Sequence, residues 1–237
     1  MRRGLQRPFA EEHYEGPLTD APARGTRDYE EWLYGVEKRH AEDALAHAWD
    51  TRRFPYTCLR LPMVNSERDH FHRIYNYFLR LKDGGPILIP AGFHLPLRHI
   101  YGHDVVKALL ILLQMGPGTG RAYNISQDET LPLEDFLALL ARCAGYTLRI
   151  APIDQGLIER HQVFPDCSPF SDPWMSELDN HRSKIELGMQ YTPVPVYVQR
   201  LIAHYEAHRP PTPEGYRRRG EEIRLARQGA ADDYERP

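Results

Sequence analysis

Tyr34-Gly35-Val36-Glu37-Lys38 lies within a stretch, Asp28 to Trp49, in which Tyr29, Leu33, Val36, Ala41, Ala44, Leu45 and Ala48 recur at near-helical spacing. The spacing predicts a helix, with Asp28 and Glu31 as a capping pair at its start. On that helix Tyr34 and Lys38, four positions apart, project from one face about a turn from each other. A phenol with a reference pKa of about 10 is a poor base at neutral pH, but a fixed positive charge beside it favours the phenolate. The pair is therefore a candidate acid/base, able to exchange a proton with a substrate hydroxyl while hydride moves at the same carbon. Spacing alone does not decide this, because 14 Tyr and four Lys in 237 residues yield about a quarter of such a pair by chance.

The segments around this helix alternate between strand and helix. Tyr56 to Leu61 is short and apolar and is stopped by Pro62, as a buried strand would be. Phe71 to Leu81 reads as a helix ended by Asp83-Gly84-Gly85-Pro86. Pro86–Pro90 and Leu97–Tyr101 are strand candidates, and Asp104–Leu113 is an amphipathic helix. Arg121–Ile125 (strand), Leu133–Cys143 (helix, ended by Gly145), Thr147–Ala151 (strand) and helices over 178–187 and 194–207 complete an α/β pattern. Residues 1–27 carry Pro8, Pro17 and Pro22 without apolar periodicity and form a leading loop segment. Residues 208–237 are Pro-rich and then charged, with Arg217-Arg218-Arg219 followed by Glu221-Glu222, and read as a partly ordered, solvated tail.

Composition excludes several classes. With 41% hydrophobic residues the chain fills an ordinary core, and its longest apolar run, Ala108 to Leu113, is far too short for a bilayer. No secretory leader is evident, so a soluble cytoplasmic protein with no membrane contact is expected. Cys58, Cys143 and Cys167 are few and scattered, which suggests reduced thiols. A net charge of −3 and a pI near 6.5 give no field for nucleic acid. His94, His99 and His103 span a loop, a strand and a helix start without paired carboxylates, so no metal site is expected. Asp104 reads as a helix cap or dipole partner, and Trp32, Trp49 and Trp174 as packing residues.

The order of these features resembles the extended short-chain dehydrogenase/reductase family, the NAD-dependent epimerases and dehydratases, over about residues 28–207. Tyr34-Gly-x-x-Lys38 with Ala41-Glu42 resembles that family's catalytic helix, and Leu59-Arg60-Leu61-Pro62-Met63-Val64 the strand and turn after it. Arg98-His99-Ile100-Tyr101-x-x-Asp104-Val105, Tyr123-Asn124-Ile125 with Glu129-Thr130-Leu131, and Leu178-Asp179, Lys184, Glu186-Leu187-Gly188 and Thr192-Pro193 resemble its later segments. Ser168-Pro169-Phe170-Ser171 and Trp174 resemble a divergent branch that includes the chloroplast stem-loop-binding proteins.

The resemblance implies a fold and a set of roles. The fold would be the later part of a Rossmann-type parallel sheet, interleaved with a small C-terminal α/β substrate lobe. Tyr34 would be the acid/base, and Lys38 would hold the nicotinamide ribose of NAD or NADP and favour the phenolate. Pro62, Met63 and Val64 would lie near the nicotinamide, and Arg98 would meet the diphosphate of a nucleotide-sugar substrate. The family's Gly-x-x-Gly-x-x-Gly turn occurs nowhere in the sequence; Gly84-Gly85 and Gly116-x-Gly118-x-Gly120 read as helix stops. Thr19 and Thr26 are no replacement for the family's catalytic Ser or Thr, and Met63 stands where its Asn is usual. An incomplete enzyme is thus expected: one that needs a partner chain carrying the glycine-rich half, one that self-associates, or a truncated gene product. The competing readings are a non-catalytic interaction module or an RNA-binding protein of the same descent.

Overall fold

The computed structural model describes residues 7–15, 19–118, 120–171 and 177–234, so the reading of Trp174 falls outside the described residues. The chain begins with a 3-10 turn, Glu11–Tyr14, and then enters α1, Arg27–Arg52. The cap of α1 is Thr26, whose Oγ1 accepts from the Tyr29 amide at 3.2 Å, and not the expected pair Asp28 and Glu31. Threonine at that position offers an oxygen one residue before the helix, where an orphan amide needs it.

β1 (Thr57–Arg60), β2 (Val64–Asn65), α2 (Arg73–Lys82), β3 (Ile87–Pro90), β4 (Ile100–Tyr101), α3 (Gly102–Met115), β5 (Arg121–Asn124), α4 (Leu133–Ala144) and β6 (Ile150–Ile153) follow. The C-terminal part holds α5 (Gln155–Arg160), α6 (His181–Leu187), α7 (Val194–His208), a 3-10 turn over Glu214–Arg218 and α8 (Arg219–Tyr234). β1 pairs with β5, β2 with β4 and β3 with β6, all in parallel. Parallel pairs need crossover connections, and the intervening helices supply them, as in part of a Rossmann-type sheet. Gly145 caps α4 in the left-handed region at φ 71°, where a side chain would be strained.

Two expected strands are displaced. Leu97 forms a separate antiparallel bridge with Leu131, so only Ile100 and Tyr101 remain to pair with Val64 and Asn65. β6 begins at Ile150 because it pairs from Ile87↔Ile150 onward. Its Arg149 and Ile153 carbonyls accept from β3 and its continuation, at 2.8 Å in each case, which turns the Pro152 nitrogen away from the ladder.

The main core is formed where Ile74, Tyr77, Phe78 and Leu81 of α2 meet Leu133, Phe136, Leu137 and Leu140 of α4 and the Val194, Tyr197, Val198, Leu201, Ile202 and Tyr205 stripe of α7. The stripe has the three-and-four spacing of an amphipathic helix. α3 buries Ala108 but leaves Val106, Leu109, Leu110 and Leu113 exposed, a second stripe at the same spacing that faces outward. Among the described residues no helix is long and apolar enough to cross a membrane.

The expectation of a partly ordered, solvated tail fails over 214–229. α8 packs on β6 and β3, with Leu225 and Ala226 buried, and its anchor is ionic. Arg80 and Glu222 are fully buried partners, joined at 2.9 and 2.5 Å. Arg219 donates to Glu222 at 2.9 Å, to Asp83 at 2.7 and 2.9 Å and to the Pro86 carbonyl at 2.7 Å. Arg219 therefore belongs to the interior and not to a solvated charge run. Partial burial opposes ionisation of Asp83, but hydrogen bonds from Arg219 and Tyr216 outweigh it and hold the carboxyl below its usual range.

Breaking a buried pair leaves an uncompensated charge, so Glu222→Ala should lower unfolding free energy by about 3–5 kcal/mol, whereas replacing Arg80 and Glu222 together by Met and Leu should cost much less. Urea unfolding of both variants checks this. Because the folded Asp83 pKa is depressed, its contribution is complete above the unfolded value of about 3.9 and is lost as pH falls through the folded one. Asp83→Asn should accordingly cost stability at pH 7 and progressively less below pH 4, measured by the same unfolding curves.

Candidate functional site

A cleft of about 680 Å³ opens past the carboxyl end of β1. Ligands of open parallel sheets bind in this position, outside the strand ends. α1 contributes Arg27, Glu30, Glu31 and Tyr34; the turn after β1 contributes Leu61, Pro62, Met63 and Val64; α2 and the residue before its cap contribute Phe71, Arg73 and Asn76; Pro165, Asp166 and Pro169 come from the segment after α5. Tyr34 and the Pro62–Val64 turn, expected together, are brought to one wall.

Ion pairs fix that wall. Arg60, the last residue of β1, forks onto Glu42 of α1 at 3.1 and 2.7 Å and donates to the Glu11 carbonyl at 3.0 Å. Its guanidinium lies 4.7 Å from the Tyr14 ring centroid. Arg73 forks onto Asp69 at 3.0 and 2.8 Å and donates to the Val64 carbonyl at 3.2 Å, which pins the turn lining the cleft. Planar guanidinium groups suit such two-point contacts.

Tyr34 is 60% exposed, and the Lys38 ammonium sits 5.1 Å from its ring centroid. The cation thus reaches the phenol ring from one turn on, as the spacing required. Arg98 is not among the residues lining the cleft. It donates from Nη1 to Thr130 Oγ1 at 3.5 Å, and its Nε is buried without a partner among the described residues. His99 next to it is a core residue at the Asn65 amide, 3.1 Å away, and against the Phe170 ring; burial pushes its pKa down to about 3. Asp104, expected as a cap or dipole partner, lies in the first turn of α3 and accepts from the Thr192 amide and hydroxyl at 2.8 and 3.0 Å, which ties the closing segment to α3. Lys184 pairs with Asp128 at 2.9 Å, and Asp179 accepts from the His181 amide at 2.7 Å, so both orient α6. Trp32 donates to the Thr19 carbonyl at 3.1 Å.

Arg27, Phe71, Arg73, Asn76 and Asp166 were not singled out as site residues by the sequence. Each lies in a segment with no motif, and only tertiary packing brings it to the cleft. A nicotinamide is a flat, partly apolar ring, and a wall of Leu61, Pro62, Met63 and the Tyr34 ring suits its face. The pyrophosphate end is a different matter. Gly84 follows the end of α2 and Gly116 caps the end of α3, so both glycine clusters stop helices, and neither opens the helix N-terminus that a pyrophosphate needs.

Residues 11–126 match the NAD dependent epimerase/dehydratase family. No curated protein matches the chain. Among solved structures, UDP-N-acetylglucosamine 4-epimerase from Bacillus cereus superposes with a TM-score of 0.61 at 16% identity, over 84% of this chain and 59% of that one. UDP-glucose 4-epimerase from Thermotoga maritima, solved with UDP-glucose, gives 0.58 at 17% identity, over 83% and 61%. dTDP-glucose 4,6-dehydratase from Bacillus anthracis, solved with NAD, gives 0.60 at 14% identity, over 82% and 57%. The chain therefore spans about 60% of the length of these neighbours, and at such identities the likeness concerns the fold. Residues 11–126 are thus similar to the NAD dependent epimerase/dehydratase family, and the chain carries part of a Rossmann-type fold.

Proposed function

We propose that the cleft is the nicotinamide and sugar end of an NAD(P)-dependent site that epimerises or dehydrates a nucleotide-linked sugar. The observation that carries this reading is the meeting of Tyr34, with Lys38 beside its ring, and the Pro62–Val64 turn in one cleft at the strand ends. When bound, the cofactor accepts and returns hydride at a sugar carbon. Tyr34 Oη takes the proton from the hydroxyl on that carbon and gives it back, which couples proton and hydride movement. Lys38 places positive charge beside the phenol and holds the nicotinamide ribose. Pro62, Met63 and Val64 form the apolar wall against the ring, and Arg73 keeps that wall in place through the Val64 carbonyl. Arg98, away from the cleft lining, meets the diphosphate of the substrate.

The proposal extends to assembly. Residues 28–207 act as one catalytic unit, and the pyrophosphate cradle comes from residues outside the 237. Two observations support this: the glycine clusters stop helices, and α3 presents Val106, Leu109, Leu110 and Leu113 to solvent, Leu113 being 76% exposed. Apolar stripes of this kind mark contact faces.

Tyr34→Phe removes only an exposed hydroxyl and should leave the thermal midpoint unchanged. Turnover of UDP-glucose or a related nucleotide sugar, by the chain with its cofactor cradle completed, should fall by about 10²–10⁴-fold. Undiminished turnover would remove Tyr34 from the mechanism.

A further inference from the structure

The two edges of the β1–β5 pair differ. Tyr56 and Arg60 turn their carbonyls to Gly120 and Ile125, so the peptide groups of Thr57 and Leu59 on β1 point the other way. On β5 the outward groups are occupied by side chains: Arg182 donates to the Ala122 carbonyl at 3.2 Å, and Glu11 accepts from the Asn124 amide at 2.8 Å. Nothing comparable closes β1. Among the described residues no hydrogen bond reaches the outward groups of Thr57 and Leu59, and β1 pairs with β5 alone. Free edges are commonly blunted by lysine or proline, and Thr57-Cys58-Leu59 carries neither.

α3 adds an apolar flank beside that edge. Its Val105, Ala108, Ile111 and Leu112 join Leu59, Tyr123 and Ile125 in one cluster, so the helix lies over the β1–β5 pair. Lys107 reaches the Gln190 carbonyl at 3.2 Å, on the side where α6 meets β5. Leu109 and Leu113, turned from Lys107 by about 200° and 240° around the helix, fall on the opposite flank, toward the free edge, and are 47% and 76% exposed. Lys107 is the one charged residue from Val105 to Met115, so this flank is uncharged and meets its own copy without repulsion.

We infer that the 237-residue chain pairs with a second copy of itself along β1. A two-fold axis normal to the sheet at Cys58 sets the two β1 strands antiparallel, with Thr57 opposite Leu59 of the second copy. The same axis lays Leu109 and Leu113 of the two α3 helices side by side on one face. Helices centred on adjacent strand pairs are two strand spacings apart, about 10 Å, a normal packing distance. The resulting four-stranded sheet ends on both sides at a β5 edge already capped by Arg182 and Glu11, so the assembly closes at two copies. This pairing does not depend on the nucleotide-sugar reading.

Sedimentation equilibrium of the wild-type chain over a range of concentrations should give a dimer, and a short bis-maleimide should join the copies through Cys58, which the axis brings opposite itself. Cys58→Ser should abolish the cross-link and Cys143→Ser should not. Leu109→Lys combined with Leu113→Lys changes only exposed side chains, so the thermal midpoint should stay unchanged while the dimer dissociation constant rises about a hundredfold or more, because like charges now face each other. The cross-link is read on the wild-type chain and is independent of how the variants fold. A wild-type monomer at every concentration, or a dimer that fails either the Cys58 cross-link or the lysine response, would overturn the pairing; the monomer would leave this face to the residues outside the 237 that supply the cradle.

Discussion

Everything proposed for the cleft depends on the fork between Arg60 and Glu42. α1 is 26 residues long and buries only Ala48, so apolar packing contributes little to where it lies. Arg60 closes β1, and the cleft wall from Leu61 to Val64 begins at the next residue. Its guanidinium joins that wall to Glu42, two turns beyond Tyr34 or about 12 Å along the helix. Tyr14 reinforces the same joint: it donates to Asp43 and to the Arg39 carbonyl on α1 while lying under the Arg60 guanidinium. A phenol on an exposed helix can be a precise acid/base only when something other than its own burial fixes the helix, and here charged side chains do so.

The same economy of apolar contacts appears at the other end of the molecule. α8 is held by Arg80, Glu222, Arg219 and Asp83, and through Gly215 its preceding turn presses on Asp166. The C-terminal segment thereby backs a residue of the cleft lining although it lies far away in sequence. Buried forks of this kind add directional constraint at a desolvation cost, which suits a segment that must arrive in one register.

The elements with strong periodicity were legible in the sequence. The helices around Tyr77, Phe136 and Tyr197 and the strand at Leu88 stand where apolar spacing put them, because each buries a continuous face or stripe; the helix around Tyr34 and the strands at Cys58 and Tyr123 stand where expected with less burial. Of the segments on which the family resemblance rested, those from Tyr34 to Ile125 lie within the stretch that matches the family model. What failed was local reading of charged or composite segments. Arg219 and Glu222 look like a solvated run until Arg80 and Asp83 meet them from another helix. Leu97 to Tyr101 reads as one strand until Leu131 claims its first residue. Thr26 was hidden as a cap by the loop composition before it. Tyr34 and Pro62–Val64 in the cleft, and Lys38 beside the Tyr34 ring, carried a sequence signal because their spacing serves local geometry. Phe71 and Asp166 carried none, since their relation to Tyr34 exists only in three dimensions.

The most direct test of the account is calorimetric titration of the chain, with its cofactor cradle completed, with NADH, beside the variant Leu61→Asp. Leu61 is partly exposed on the proposed nicotinamide wall, so a carboxylate there should disturb the cleft and not the core. The account predicts saturable binding by the wild-type chain that weakens at least about tenfold, or about 1.4 kcal/mol, in the variant. Absence of binding by the wild-type chain, or equal binding by both, would contradict the placement of the nicotinamide against Tyr34 and the Pro62–Val64 turn.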